Sequence, residues 1–203
     1  MSESPNDEFV YIKPEAFVTL ILHTFRFWPI EKRNGDRAIA FGLLIGYIDG
    51  NTRFINKIQP ICHNKENDYS MDDRFLKFIQ DINSREFEMG GLNEVIGWYR
   101  SSDQGIKFSA TDIKNHLNFQ SKNSKFITLI FDQETFLKRE GQYGFSIFRL
   151  KGENYYNIMS DYYKIAWEIG TIEDTDQIIA NFRNYIRNFY ENKPLITEID
   201  EIE

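Results

Sequence analysis

The stretch VIGWYRSSDQGIKFSATD, residues 95–112, decides the fold of this 203-residue chain. Its apolar first half predicts a buried strand over Glu94–Tyr99, and the polar residues that follow predict a loop. Ser109 stands three residues before Asp112, at the start of a helix predicted over 110–119. This Ser-x-x-Asp spacing is typical of a capping box, in which two side chains satisfy the first N–H groups of a helix. The stretch therefore predicts a strand, a loop and a capped helix in immediate succession.

The apolar periodicity on either side of this stretch predicts a mixed α/β or α+β protein. A near-continuous apolar run over 38–48 and the turn signal Asp49-Gly50 predict a covered strand and a hairpin. The other predicted strands are 9–12, 52–61, 125–131, 143–150 and 162–169, and the other predicted helices are 14–27, one after a capping box at Ser70–Asp73, and 176–190. These elements divide the chain into a predicted disordered lead-in (1–7), one domain (8–170), a C-terminal helix (171–192) and an acidic tail (193–203).

Composition narrows the classes of function. The chain has 24 Lys and Arg against 31 Asp and Glu, a net charge of -7, which argues against a general nucleic-acid binder. Its longest apolar runs are far shorter than the roughly 20 residues that cross a bilayer, and its polar N-terminus does not resemble a signal peptide. A single cysteine excludes an internal disulfide framework and fits a reducing compartment. We therefore expect a cytoplasmic protein without nucleic-acid or membrane partners.

The stretch at residues 95–112 resembles the core of the JAMM/MPN fold family. Four further segments are similar to this family and stand in the same order: the helix that begins at Pro14, the Gly-Leu-Leu-x-Gly strand at Gly42–Gly46, Phe126–Asp132 and Phe145–Leu150. The resemblance covers about residues 9–150 and implies the cytidine-deaminase-like MPN fold, a mixed sheet flanked by helices. In catalytic members the Gly-Trp-Tyr strand leads into His-x-His-Pro. Those two histidines and the aspartate of Ser-x-x-Asp bind zinc, and an earlier glutamate activates the bound water to hydrolyse isopeptide bonds to ubiquitin or ubiquitin-like proteins.

This chain departs from the catalytic pattern where metal would bind. Arg100 and Ser102 replace the two histidines, and Ile39 stands where the glutamate is expected. Ser109 and Asp112 alone are kept. A single carboxylate cannot hold a catalytic Zn²⁺, and Arg100 would repel a cation at close range. The resemblance therefore implies a member without catalytic residues, metal or cofactor.

Two local hypotheses concern the same region. Arg100 is close enough in sequence to pair with Asp103 across the loop and so fill the vacated metal cavity. His116 lies four residues after Asp112 and can share its helix face, as two metal ligands would, but no third ligand is identifiable. His23 is expected to pack at the edge of the core.

The chain resembles in particular the non-catalytic MPN subunits of translation initiation factor 3, the signalosome and the proteasome lid. The implied function is that of a pseudoenzyme, a scaffold or dimerisation partner of a catalytic JAMM deubiquitinase-like protein or of a multi-subunit complex. One alternative is a module that binds ubiquitin, a ubiquitin-like protein or a peptide without hydrolysis, and another is a metal-dependent isopeptidase with a rebuilt site.

The implied partner is another MPN-domain protein, in a homodimer or a heterodimer. The candidate interface residues lie on the first, second and last helices: Phe17, Leu20, Phe75, Phe78, Phe182, Tyr185 and Phe189. The first four are equally candidates for the core.

Overall fold

Strands and helices follow one another along the chain much as the periodicity predicts. The computed structural model describes residues 7–26, 39–64, 73–102, 105–138, 142–151, 161–170 and 175–189. The strands are β1 (Phe9–Ile12), β2 (Ile39–Asp49), β3 (Thr52–Asn64), β4 (Glu94–Ser102), β5 (Ile127–Asp132), β6 (Phe145–Leu150) and β7 (Tyr162–Ile169), and the helices are α1 (Pro14–Thr24), α2 (Asp73–Glu88), α3 (Ala110–Gln120), α4 (Gln133–Lys138) and α5 (Thr175–Phe189). The predicted mixed class is confirmed. Residues 1–6, Ser70–Asp72, Asp103 and the tail at 193–203 lie outside the described residues.

β4 is longer than predicted. It continues through Arg100, Ser101 and Ser102, where the polar sequence predicts a loop. Its neighbours explain the extension, because Phe41 of β2 pairs with Arg100 and Asp132 of β5 pairs with Ser102. Three polar residues therefore lie in a buried strand, and their side chains need partners inside the protein.

Two helices also differ from the prediction. α1 ends at Thr24 and not at residue 27, and the Phe25 ring turns into the core against Phe131. α4 is too short for a helical periodicity to be recognised in the sequence. It begins directly after β5, where the Thr135 N–H donates to Asp132 Oδ2 at 3.0 Å.

The described strands close into a barrel in the order β1-β3-β2-β4-β5-β6-β7. β1 closes the barrel, because this strand pairs with β3 on one side and with β7 on the other, parallel to both. β2 and β4 are antiparallel, whereas β4 and β5 are parallel. Parallel neighbours end at the same edge of a sheet, so the last residues of β4 lie beside the last residues of β5.

Gly97, in the Gly-Trp-Tyr segment, is required by the close approach of β5. A Cβ at this position would lie 2.3 Å from the Ile127 carbonyl oxygen. Gly42 on β2 is similar, since a Cβ there would lie 2.5 Å from the Tyr99 ring. These two glycines let β2, β4 and β5 pack closely and so help to fix the position of β4.

Helices cover the sheet on both faces and bury two apolar clusters. One cluster joins α1 and α5 to the sheet, with Ile179 and Ile186 of α5 among its members. The other joins α2 and α3 to the opposite face around Trp98. Within the described ranges, no helix is long and apolar enough to cross a membrane.

Of the two alternatives for Phe17 and Leu20, anchors on α1 for a partner or residues of the core, the structure favours the core. Both are only 1% exposed, because they fill the space between α1 and the sheet. Phe75 on α2 is 6% exposed, and Phe78 is partly buried against the same cluster. The core alternative for these residues is therefore the one that the structure favours.

The interface residues predicted on α5 have mixed outcomes. Phe182 is partly buried against the α1 cluster, so one side of the stripe is covered by this chain itself. The side chains of Tyr185 and Phe189 lie outside what the structure describes, and their part in an interface stays a prediction.

Candidate functional site

The candidate site lies where the end of β4 meets the N-terminus of α3. β4 brings Arg100 and Ser102 to the same face of the sheet as Trp98, because side chains two residues apart share a face. α3 begins at Ala110 and presents its first turn to them. Arg100 is 7% exposed and Asp112 is fully buried, so the site excludes most solvent.

Arg100 and Asp112 form a bidentate ion pair at the centre of the site. Arg100 Nε donates to Asp112 Oδ1 at 2.6 Å, and Nη2 donates to Oδ2 at 2.7 Å. Two more of the guanidinium hydrogens donate to the main chain, with Nη1 2.9 Å from the Ser101 carbonyl oxygen and Nη2 3.2 Å from that of Lys107. The guanidinium thus ties the end of β4, the loop before α3 and the first turn of α3 to one another.

The capping box predicted at Ser109 is confirmed. Ser109 Oγ accepts from the Asp112 N–H at 3.2 Å, and Asp112 Oδ2 accepts from the Ser109 N–H at 2.6 Å. Ser109 Oγ also lies 2.6 Å from Oδ2. Asp112 therefore caps α3 and pairs with Arg100 at the same time, and both of its carboxylate oxygens are engaged.

Arg100 pairs with Asp112 in the structure. Asp103, the partner suggested by the sequence, lies outside the described residues, so that pairing stays a prediction. Asp112 is more distant in the sequence, and the fold brings it into contact with Arg100. The combination of a retained aspartate and an arginine at a ligand position was the available signal.

The other degenerate positions make structural contacts. Ser102 Oγ donates to the Gly105 carbonyl oxygen at 2.8 Å. The neighbouring Ser101 Oγ accepts from the Ala40 N–H at 2.9 Å and so links β4 to β2. Ile39, at the start of β2, is partly buried against the cluster around Trp98. An aliphatic side chain there cannot act as a general base.

These residues do not fit a zinc ion. A catalytic zinc site uses three protein ligands with lone pairs and one open position, and here a guanidinium lies 2.6 Å from the one carboxylate that is kept. Across the described part of the chain, no three His, Cys, Asp or Glu side chains are grouped so as to hold a metal ion. No step of metal chemistry follows from this arrangement.

His116 does not complete a metal site with Asp112. It is fully buried, and its Nδ1 accepts from Trp98 Nε1 at 3.3 Å and lies 2.8 Å from Thr128 Oγ1. Burial, and next the Arg149 guanidinium, lower the pKa of His116 from 6.5 to about 3. The ring is therefore neutral, and because the indole N–H can only donate, the His116 proton is on Nε2.

His23 is a core residue and not one at the edge of the core. It is fully buried on α1. Its Nδ1 is 2.8 Å from the Tyr99 hydroxyl. This contact links α1 to the Gly-Trp-Tyr strand, so the role of His23 is structural.

The comparisons with known proteins agree with this fold. The family model described as JAB1/Mov34/MPN/PAD-1 ubiquitin protease matches residues 8–125, from just before β1 to just before β5. The match covers more than half of the 203 residues, and the chain belongs to this family. No curated protein matches the chain.

Proposed function

We propose that this chain is a non-catalytic member of the family that works in the cytoplasm as a scaffold or dimerisation partner of another MPN-domain protein. The observation that supports this proposal is the buried Arg100–Asp112 ion pair at the metal position. It keeps the aspartate of the family's pattern and gives it a structural role.

The chemistry of the ion pair is the reason to propose a non-catalytic protein. Metal-dependent hydrolysis needs a cation with an open coordination position, which lowers the pKa of bound water toward 7. The guanidinium of Arg100 supplies positive charge and N–H donors. Unlike a metal ion, it has no open coordination position at which a water molecule could bind and ionise. The apolar Ile39 supplies no base. Positive charge is kept at this position while the means of activating water is lost.

A role through other proteins is supported by the surface. The net charge of -7 disfavours nucleic acid, and apolar side chains are exposed at the end of α2. Exposed apolar patches are typical of protein contact sites.

The test is metal analysis and an isopeptide cleavage assay on the purified full chain. We expect well under one zinc per chain after dialysis against zinc-containing buffer, and no cleavage of ubiquitin conjugates. One zinc per chain together with cleavage that Asp112→Asn abolishes would overturn the proposal. A saturable complex with ubiquitin that forms without cleavage would instead favour the binding-module alternative.

A pull-down from the native source tests the scaffold role. The proposal expects an MPN-domain protein to co-purify with the tagged chain, or the chain to form a dimer on its own. A strict monomer that captures no such protein would count against it.

A further inference from the structure

A groove of about 300 Å³ lies between α2, the start of β4 and the segment that joins α3 to β5. Its volume is at the lower limit for small-molecule sites, which are mostly apolar and carry a few polar groups that fix the ligand. Neither Arg100 nor Asp112 lines this groove, so it is separate from the site described above. Its lining consists of an apolar wall, amide side chains and two charged side chains.

The apolar wall of the groove is part of the core. Ile79, Val95, Phe119 and Phe126 are at most 7% exposed, and all four belong to the cluster that joins α2 and α3 to the sheet. The rings of Phe119 and Phe126 stack with their centroids 5.2 Å apart. Leu76 is less buried and completes the wall. Because packing already holds this wall, a ligand that covers it has few side chains to order, which lowers the cost of binding.

Two amides at the groove are held in place by the main chain. Asn83 Oδ1 accepts from the Val95 N–H at 2.8 Å, and Asn123 Oδ1 accepts from the Lys125 N–H at 2.9 Å. Because each amide oxygen is engaged in this way, the Nδ2 group is what each side chain offers to a ligand. N–H donors that are fixed beside an apolar wall suit a carboxylate, which accepts hydrogen bonds with both oxygens.

The described residues that line the groove include two charged ones of opposite sign, Glu94 and Lys122. They come from different walls, because Glu94 begins β4 and Lys122 follows α3. Both are exposed, so each can reach a ligand in the groove. A ligand with a carboxylate alone would meet the like charge of Glu94, and a ligand with an ammonium group alone would meet that of Lys122. A ligand that carries both groups can pair with both residues.

We propose that this groove binds a free amino acid with an apolar side chain, such as phenylalanine or leucine. The ammonium group pairs with Glu94, and the carboxylate pairs with Lys122. The Nδ2 groups of Asn83 and Asn123 donate to the same carboxylate, and the apolar side chain of the ligand covers the wall. This ligand site goes beyond the proposed scaffold role and does not depend on it.

Calorimetric titration of the full chain with phenylalanine tests the site. We expect saturable binding of one molecule per chain with a Kd below about 1 mM, as suits a ligand of this size. Hydrocinnamate lacks the ammonium group and phenethylamine lacks the carboxylate, and each should bind at least about 10-fold more weakly. No saturable binding of phenylalanine or leucine to the folded chain would overturn the proposal, and so would equal affinity for phenylalanine and hydrocinnamate.

Two variants assign the charges of the ligand to their partners. Glu94→Gln should weaken binding of phenylalanine by about 10-fold but not that of hydrocinnamate, whereas Lys122→Gln should weaken both and spare phenethylamine. The matched control is Glu88→Gln, which removes the same charge from an exposed residue of α2 outside the groove and should leave every affinity unchanged. Circular dichroism of each variant confirms that it is folded. If Glu94→Gln and Lys122→Gln bind phenylalanine as tightly as the wild-type chain does, the groove is not the site and the proposal is wrong.

Discussion

The side chain of Arg100 places a fixed positive charge next to Asp112, where the family pattern expects an ion. The pair is nearly dry, with the arginine side chain 8% exposed and the aspartate side chain 0% exposed. A buried ion pair of this kind stabilises less than its Coulomb energy suggests, because both groups give up hydration. Removing one partner is costly all the same, since the other charge is then buried without compensation.

Arg100→Ala should therefore lower the free energy of unfolding by about 3 kcal/mol. Urea denaturation at pH 7 measures the change. The control is Lys138→Ala, whose i,i+4 pair with Glu134 leaves the lysine 68% exposed, and which should cost no more than about 0.5 kcal/mol. If the two variants lose the same small amount, Arg100 has no structural role as a buried counter-charge.

His116 makes stability depend on pH below neutrality. Its folded pKa of about 3 lies below the ordinary histidine value of 6.5, so the unfolded chain binds the proton more readily. The contribution of His116 to the free energy of unfolding is complete above pH 6.5. It is lost at about 1.4 kcal/mol per pH unit as the pH falls toward 3.

Between pH 7 and pH 5.5, we expect the wild-type chain to lose about 1 kcal/mol more than His116→Gln, which has no titrating ring. Denaturant midpoints of both proteins at the two pH values give this difference. Equal losses in the two proteins would show that His116 is not the responsible group.

At the scale of elements, the strand that carries the site is positioned by close backbone contact. Gly97→Ala would place a methyl group 2.3 Å from the Ile127 carbonyl oxygen, which β5 can relieve only by moving away. We expect a loss of about 2 kcal/mol, within the usual range for overpacking. Gly91→Ala is the control, because the nearest atom to its methyl group would be the Glu86 carbonyl oxygen, 3.3 Å away. This variant should lose much less stability. Thermal unfolding of both variants would contradict this account if Gly91→Ala were the less stable protein.

Most elements could be predicted because their signals are local. The apolar periods of α2 and α3 and the Ser109–Asp112 cap are contained within a few residues, and both appear in the structure. The continuation of β4 through Arg100 was not predictable in that way. The cause is pairing with β2 and β5, two strands that lie some distance away in the sequence. A run of polar residues does not indicate that such strands will pair with it.

At the scale of the whole molecule, contacts between distant parts of the chain close the barrel. β1 pairs with β7, more than 150 positions later in the sequence. Glu8, just before β1, lies 3.5 Å from Arg53 and also contacts Arg149. No spacing rule links these residues, so neither the closure of the barrel nor this ion cluster could be predicted from the sequence. The same holds for Arg100 and Asp112, since only the fold brings them together.

Because the chain supplies its own cation at residue 100, the stability of the whole molecule should not depend on divalent metal. A ligand that binds only the folded state stabilises it by about 2.7 kcal/mol when present at 100 times its Kd. We therefore expect 1 mM EDTA and a small excess of zinc each to leave the melting temperature of the full chain within about 1 °C of its value in plain buffer, whereas a tight site would shift it by about 5 °C or more. Asp112→Asn separates this site from zinc bound elsewhere, for example at exposed carboxylates. A stabilisation by zinc that is present in the wild-type chain and absent in Asp112→Asn would mean that Arg100 yields its place to a metal, and the ion pair would then be one state of a metal site.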